Sequence, residues 1–439
     1  MSPLAGGGCA QRTPKDGKLH LAYWDKWTRF EGEAMKRVVD SFNRRQSGIV
    51  VHYEAFGTVE RKTMISTAGG DSPDLAGLWA TNMATYADRG IFTPLDEYMQ
   101  RDGRRRDHWL PVFANICIHH NIMWAVPTTP ATTGLHWNKA MFRAAGLDPD
   151  QPPRTVQELD DYAWELTRWD KNKENITQMG FLPQEPGWFN WAWGPWFGGR
   201  LIDGDKITAN HPRNVEAFEW MQGYSRRYGV EKIKRFYSSF GNFASTQNPF
   251  FSGRIGMVLQ GTWLHNYISQ YAPGMQYGVS YWPQTPAGPE GFCTADEDIL
   301  VIPRGLPAPR RDAAWEFVKY ASSQEGMEML NMGQRKNSPL REVSDAFLRN
   351  HPHPYIELFT EMSRSPNCAA IPQLGVWNEY QREIDAAVDR ARLLQENPAT
   401  GKIYTAQEIL DQVQNRMEAS WERHQKSLAM RPPVTGSLQ

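Results

Sequence analysis

Eighteen tryptophans, beside 16 Tyr and 19 Phe, give this 439-residue chain more indole than core filling requires, because every Trp must also place an N–H donor. Flat apolar faces are therefore a candidate function. Trp79 follows the apolar run Leu75–Leu78 and Trp263 follows Gly261 in a predicted loop, so both stand at strand or loop ends, where α/β sheets carry their sites. The segment 188–199, with Trp191, Trp193 and Trp196, is so rich in Trp, Gly and Pro that it predicts a loop. A pyranose presents apolar C–H faces and a ring of hydroxyls. Aromatic platforms suit the faces, and planar carboxylates, amides or guanidinium groups suit the edges. Carboxylates such as Asp25 and Glu297 could instead flank a scissile glycosidic bond as an acid/base pair, although no independent acid/base motif is present.

Charge and cysteine usage narrow the field. Lys plus Arg number 48 and Asp plus Glu 49, a net charge of -1 that argues against nucleic acid and against a polybasic membrane-surface role. Cys9, Cys117, Cys293 and Cys368 lack close C-x-x-C spacing, so no cysteine-built metal site is expected, and the last three read as free buried thiols. No run of 18 apolar residues is long enough to span a membrane. No cofactor, metal or catalytic residue is assigned.

The elements that must position these groups alternate. Lys18 to Trp24 reads as a strand, Glu33 to Arg45 as a helix with Met35, Val38, Val39 and Phe42 on one face, and Ile49 to Glu54 as a second strand. A strand, helix, strand start implies a parallel sheet. Thr155 to Glu158 and Thr405 to Glu408 read as capping boxes opening apolar stripes, and Asp312 as the cap of a helix carrying Trp315, Val318 and Ala321. Trp220, Trp315 and Trp421 lie on such stripes and belong to the core. Asp25 is either a ligand acceptor or a local cap, and the Asp296 to Asp298 cluster either a site or a solvated turn. The Arg101 to Asp107 run reads as a solvated loop.

Five blocks in register carry a family resemblance. Thr67 to Leu75 (TAGGDSPDL) with Tyr86 to Leu95, then Trp124 to Pro127, Leu135 to Lys139 and Phe142 to Thr155, then Phe251 to Met257 with Gly261-Thr-Trp263, and finally Ala313 to Lys319 (AAWEFVK), together resemble the extracellular solute-binding proteins of ABC transporters. Trp137 stands where Tyr is usual. The pattern is similar to the carbohydrate-binding, maltose-binding-like branch, and polyol-phosphate binders share most of it. The start, Leu4 to Cys9, resembles the end of a lipoprotein signal, in which Cys9 would be lipidated; the other reading is a flexible Gly-rich terminus.

That resemblance implies an α/β, two-lobed periplasmic-binding-protein fold of type II, each lobe a mainly parallel sheet flanked by helices. It divides the chain into a flexible 1–17, lobe 1 (18–128 and 297–336), lobe 2 (129–296 and 337–430) and a tail 431–439. Crossings fall near Ala125 to Thr132, Asp296 to Ile302 and Gly333 to Leu340. It implies a ligand site from Trp24, Asp25, Trp79, Asn82, Trp193, Trp196, Trp263, Asp296, Glu297, Arg341 and Trp377. It further implies an extracytoplasmic, monomeric, non-enzymatic importer component that captures a sugar or oligosaccharide by hinge closure and delivers it to permease subunits. The alternatives are a glycoside-active enzyme and a binder of polyol phosphates or acidic sugars. The latter would need clustered basic groups, for which Arg29, Arg335 and Arg341 are visible.

Overall fold

The computed structural model describes residues 16–430, so Cys9 lies outside them. Strand β1 (Leu19–Asp25) buries Leu21, Tyr23 and Asp25 on one face and leaves Trp24 half-buried on the other, the period-two alternation of a strand. Helix α1 (Arg29–Arg45) begins one turn before Glu33 and buries Met35, Val38, Val39 and Phe42. It returns the chain to β2 (Ile49–Ala55), which pairs parallel with β1 along its whole length. Helix α2 (Val59–Ala68) then leads to β3 (Leu75–Trp79), also parallel to β1, and α3 (Met83–Asp88) follows.

Two five-stranded sheets result. After β4 (Val126–Pro130) the chain passes through Ala131 and Thr132 into β5 (Thr133–Asn138), to which β6 (Met257–Gly261), β7 (Tyr277–Ser280) and β8 (Cys293–Ala295) are all antiparallel. It returns at Asp296 into β9 (Glu297–Val301), antiparallel to β3 and β4. Helices α4 (Ala308–Ala321) and α5 (Gln324–Gln334) pack on the first sheet's side, and β10 (Cys368–Ala370) joins β8 in parallel. Helices α6 (Trp377–Arg392) and α7 (Ala406–Ala429) then pack with the helix Pro212–Tyr228. The strand orders are β2-β1-β3-β9-β4 and β6-β5-β8-β10, with β7 also on β5. Pairing is thus mixed: the parallel start holds for β1 to β3, whereas strands arriving from the other lobe enter antiparallel.

The crossings are narrower than the expected segments, because Val126–Pro130 and Glu297–Val301 are spent on ladder pairing inside the first sheet. Ala131 and Asp296 exchange backbone hydrogen bonds (2.7 and 3.3 Å) where the two chains pass side by side. The third crossing is pinned to the first: the Asn337 amide donates to Ser363 Oγ at 2.9 Å, and Ser363 Oγ pairs with Thr132 Oγ1 at 2.8 Å.

Local differences have local causes. Thr405 and Glu408 form the full capping box, but Glu158 accepts from the Arg154 N–H while Thr155 caps Glu158 alone. Asp312 lies inside α4, which starts behind Pro307, and accepts from the Tyr98 hydroxyl. The segment 188–199 is not all loop: Asn190–Ala192 is a 3-10 turn and Trp193–Trp196 a single helical turn. Cys117, Cys293 and Cys368 are free and buried. Among the described residues no helix is long and apolar enough to cross a membrane.

Candidate functional site

The C-terminal ends of β1 and β3, beside the crossing at Asp296, gather the polar groups. Lys26, the residue after β1, lies 3.2 Å from Asp298 and 3.7 Å from Asp25, and Lys336 lies 3.1 Å from Glu31 and 4.0 Å from Asp298. All five groups are buried, so the two ammoniums and three carboxylates compensate one another. Both ammoniums also sit over the Trp27 ring, at 5.0 and 4.5 Å from its centroid, and the Trp27 Nε1–H is buried without a partner. Lys26 is 5.6 Å from the centroid of Trp79, whose side is 42% exposed at the end of β3.

Glu60 on α2 ties this edge together. Its carboxylate accepts from the Trp79 backbone N–H at 3.3 Å and from the Asn82 amide at 3.0 Å. The Asn82 side-chain oxygen then accepts from Asn378, the second residue of α6, so this contact joins the lobes. Burial raises the Glu60 carboxyl above its ordinary range, against the lowering by Asn82, Lys26 and Trp79. Burial likewise raises Asp296 to about 7, with Asp298 and Glu60 adding to the shift and the Glu297 N–H and Lys26 opposing it. Asp296 can therefore exchange a proton near neutrality, and as a half-buried group it can donate to or accept from a hydroxyl.

The other lobe contributes an aromatic platform. Trp263 follows β6 through Thr262, whose N–H donates to Thr132 in the first crossing. The Trp263 indole lies on Gly261, where an added Cβ would come within 2.0 Å of the ring, so only glycine lets it lie there. Trp188 and Phe189 stand 6.2 and 6.3 Å from Trp263, and Phe243 meets Trp188 edge-on at 4.8 Å. Trp188 is 44% exposed. It was not among the expected residues. Its signal in the sequence is the Pro186-Gly187 pair just before it, a turn dipeptide, and Gly187 does take a positive φ of 80.

Trp79, Asn82, Trp263 and Asp296 thus sit near the crossing with part of their surface open, whereas the remaining expected residues are buried, turned inward or on another surface. Asp25 is 1% exposed and turned inward: Oδ2 accepts from the Tyr23 hydroxyl at 2.6 Å and Oδ1 from the Lys26 N–H at 2.6 Å. Its carboxylate packs on Gly77, where a Cβ would meet it at 2.6 Å. Glu297 is also 1% exposed, accepts from the Cys117 thiol at 3.3 Å, and is held well above the usual carboxyl range by burial. The two carboxylates of an acid/base pair are therefore both turned into lobe 1. Trp24 packs edge-on to Phe56 at 5.5 Å under the Lys62 ammonium. Arg341 is on the surface, donating to the Asp107 carbonyl at 2.8 Å.

Trp193 and Trp196 do not form a platform. They pack with Trp220 and Trp282 at centroid distances of 5.3 to 5.9 Å in the second lobe's core, and Trp196 Nε1–H donates to the Pro283 carbonyl. Single-turn helix formation folded them inward, because four indoles together bury more apolar surface than a loop would. Trp377, the first residue of α6, is 1% exposed against Trp191 and Tyr380, with its Nε1–H unpartnered. The donor set offered by Lys26, Trp79, Asn82, Trp263 and Asp296 is carboxyl, amide, ammonium and indole, which suits hydroxyls.

Comparison with known proteins agrees with this architecture. A protein from Pyrococcus abyssi described as a maltotriose-binding protein is 22% identical over 389 residues, covering 84% of this chain and 77% of that one. The sn-glycerol-3-phosphate-binding periplasmic protein of Escherichia coli (strain K12) is 25% identical over 279 residues, covering 58% of this chain and 60% of its own. Among solved structures, CpMnBP1 with mannobiose bound superposes with a TM-score of 0.77 at 23% identity, over 91% of this chain and 99% of that one. The maltose/maltodextrin-binding domain from Bdellovibrio bacteriovorus, bound to maltotriose, gives 0.70 at 16% identity, over 92% and 100%. The sequence profile described as bacterial extracellular solute-binding protein matches residues 37–352, and with the two-sheet architecture it shows that this chain belongs to that family.

Proposed function

We propose that the protein is the substrate-binding component of an ABC importer and captures a sugar or oligosaccharide between its lobes, without chemical change, for delivery to permease subunits. The observation that carries this reading is that both lobes leave indoles open near the crossing: Trp79, 42% exposed at the end of β3, on the first, and Trp188, 44% exposed beside the half-buried Trp263, on the second, with the half-buried polar groups of Asn82 and Asp296 at the same strand ends. Indoles take the C–H faces of a pyranose, and the amide and carboxyl groups take its hydroxyls. The maltotriose-binding relative and the mannobiose- and maltotriose-bound neighbours support a carbohydrate ligand.

Lobe 1 is taken as residues 18–130 with 297–336, longer than the expected 18–128 because Thr129 and Pro130 pair inside the first sheet, and lobe 2 as 131–296 with 337–430, closing about the three crossings. Ligand shifts the open-to-closed population only by its differential affinity for the closed form, so contacts from both lobes are required. The protein acts as an extracytoplasmic monomer. Small-angle scattering during titration with maltotriose and mannobiose tests the mechanism: a smaller radius of gyration at saturation is expected, and bound ligand without compaction would overturn closure.

A further inference from the structure

Away from the crossing, one carboxylate collects three imidazoles. Asp88, the last residue of α3, has Oδ1 at 2.8 Å from His119 Nε2 and 3.0 Å from His120 Nε2, and Oδ2 at 2.8 Å from His424 Nε2. His119 ends the strand Ile118–His119, and the His120-Asn121 turn joins it to Ile122–Met123. His424 arrives on α7, packed with the other lobe. The chain separates Asp88 from His424 by 336 positions, so no spacing motif marks the group.

We infer that Asp88, His119 and His120 form a three-ligand site for a divalent transition-metal ion, with His424 orienting the carboxylate from the second lobe. One ligand atom from each of Asp88, His119 and His120 lies within 4.8 Å of the others. Zinc bonds of about 2.0–2.2 Å to nitrogen and oxygen set neighbouring ligand atoms roughly 3.3 Å apart on a tetrahedral ion, so the Asp88 oxygen need move from the two nitrogens only by fractions of an ångström, and the nitrogens close on one another by at most about 1.5 Å. Imidazole and carboxylate are a donor set for zinc, nickel and copper(II), not for magnesium or calcium. For Nε2 to ligate, the proton it shares with Asp88 must leave that nitrogen: a neutral ring carries it on Nδ1 as the other tautomer, and an imidazolium keeps its Nδ1 proton and gives the Nε2 proton to solvent.

Two further features fit a ligand site. His120 and Asn121 both take positive φ, 50 and 59, in a two-residue hairpin turn where Asn-Gly is the easy solution. A histidine held in that conformation costs backbone energy, and the turn sets adjacent imidazoles, 3.9 Å between centroids, on the same carboxylate oxygen. The Asp88 and His119 side chains are buried, but that of His120 is 54% exposed, giving an ion a path from solvent. On the far side, His424 lines a groove of about 600 Å³ between the lobes with Thr85, Gly375 and Asn378. A hydrogen bond from His424 to the non-ligating oxygen fixes the carboxylate as outer partners do in established metal sites. The same bond couples occupancy to the arrangement of the lobes.

Zinc titration of the chelator-stripped full chain, read by competition with a chromophoric chelator, tests the site, and it uses no sugar. One equivalent per chain is expected, with affinity lowered at least 10-fold in His120→Ala, whose exposed side chain can be removed without disturbing the fold, as an unchanged melting temperature would verify. His424→Gln should weaken binding 10- to 100-fold while the visible spectrum of the cobalt(II) form keeps its shape, because the inner ligands remain. No uptake by the wild type, or equal uptake by wild type and His120→Ala, would overturn the site and leave a hydrogen-bonded cluster only.

Discussion

Asn82 and Asn378 meet side chain to side chain across the two lobes, the amide of Asn378 donating to the Asn82 oxygen while the Asn82 amide donates to Glu60. One end of this chain is α2 in the first sheet's lobe and the other the first turn of α6 in the second. Thr85 reinforces it, donating to the Gly375 carbonyl at 3.0 Å. These interlobe bonds are made by neutral amides and a hydroxyl, which can be broken and remade as the lobes open, and the His424 contact to the Asp88 carboxylate stands beside them.

Asn378→Ala removes that donor and leaves Asn82 half satisfied. A neutral hydrogen bond contributes about 1 kcal/mol, so the closed form should lose roughly fivefold in population and maltotriose affinity should fall by about the same factor. Isothermal titration calorimetry reads this, and unchanged affinity would remove the pair from the closure mechanism.

Exposed and buried indoles should separate function from stability. Trp79→Ala and Trp188→Ala should lower sugar affinity 10-fold or more and cost far less stability than a buried Trp, since the two residues are 42% and 44% exposed. Trp196→Ala should destabilise by about 3–5 kcal/mol, because it opens a cavity among Trp193, Trp220 and Trp282 and orphans the Pro283 carbonyl. Paired urea denaturation and binding curves check both halves.

Gly77→Ala drives a methyl group to 2.6 Å from the Asp25 carboxylate, which is held by Tyr23 and Lys26 and has nowhere to go. A loss of about 1–3 kcal/mol is expected by chemical denaturation. A neutral result would show that Asp25 can turn outward.

Acid should weaken the fold through its buried imidazoles. Burial lowers His136 to about 3 and His351 to about 4, each from 6.5. Below pH 6.5 the unfolded chain takes up protons that these folded imidazoles refuse, so their stabilisation is full above 6.5 and is lost as the pH falls toward 4 and 3. Glu185 and Asp296, both raised to about 7, act in the opposite sense, stabilising at low pH and losing that contribution between about 4 and 7. The imidazole effect is therefore read as a difference: between pH 6.5 and 4 the stability of His136→Leu should fall less steeply than that of the wild type. Parallel slopes in urea titrations would contradict the assignment.

Some of this architecture was legible in the sequence for physical reasons. Strand alternation and helical stripes are local, which is why β1, α1 and β2 emerge within a few residues of their observed ends. Motif register carried the family. Side-chain direction was not legible: Asp25 and Glu297 look like free acceptors until Tyr23, Gly77 and Cys117 are seen to claim them. The same holds for the 188–199 segment, where composition announced indoles but only packing decides that Trp193 and Trp196 go inward and Trp188 outward. Glu60 and Asn378 had no signal, since their importance lies in partners far along the chain.

A thermal-shift screen of the wild type and Trp79→Ala against mannobiose, maltotriose, longer oligosaccharides and sn-glycerol 3-phosphate tests the central claim most directly. A ligand at 100 times its Kd stabilises by about 2.7 kcal/mol, enough to raise the melting temperature by several degrees. The account predicts a saturable rise with at least one oligosaccharide in the wild type and little or none in Trp79→Ala. No response to any sugar, or a response to sn-glycerol 3-phosphate alone, would contradict it.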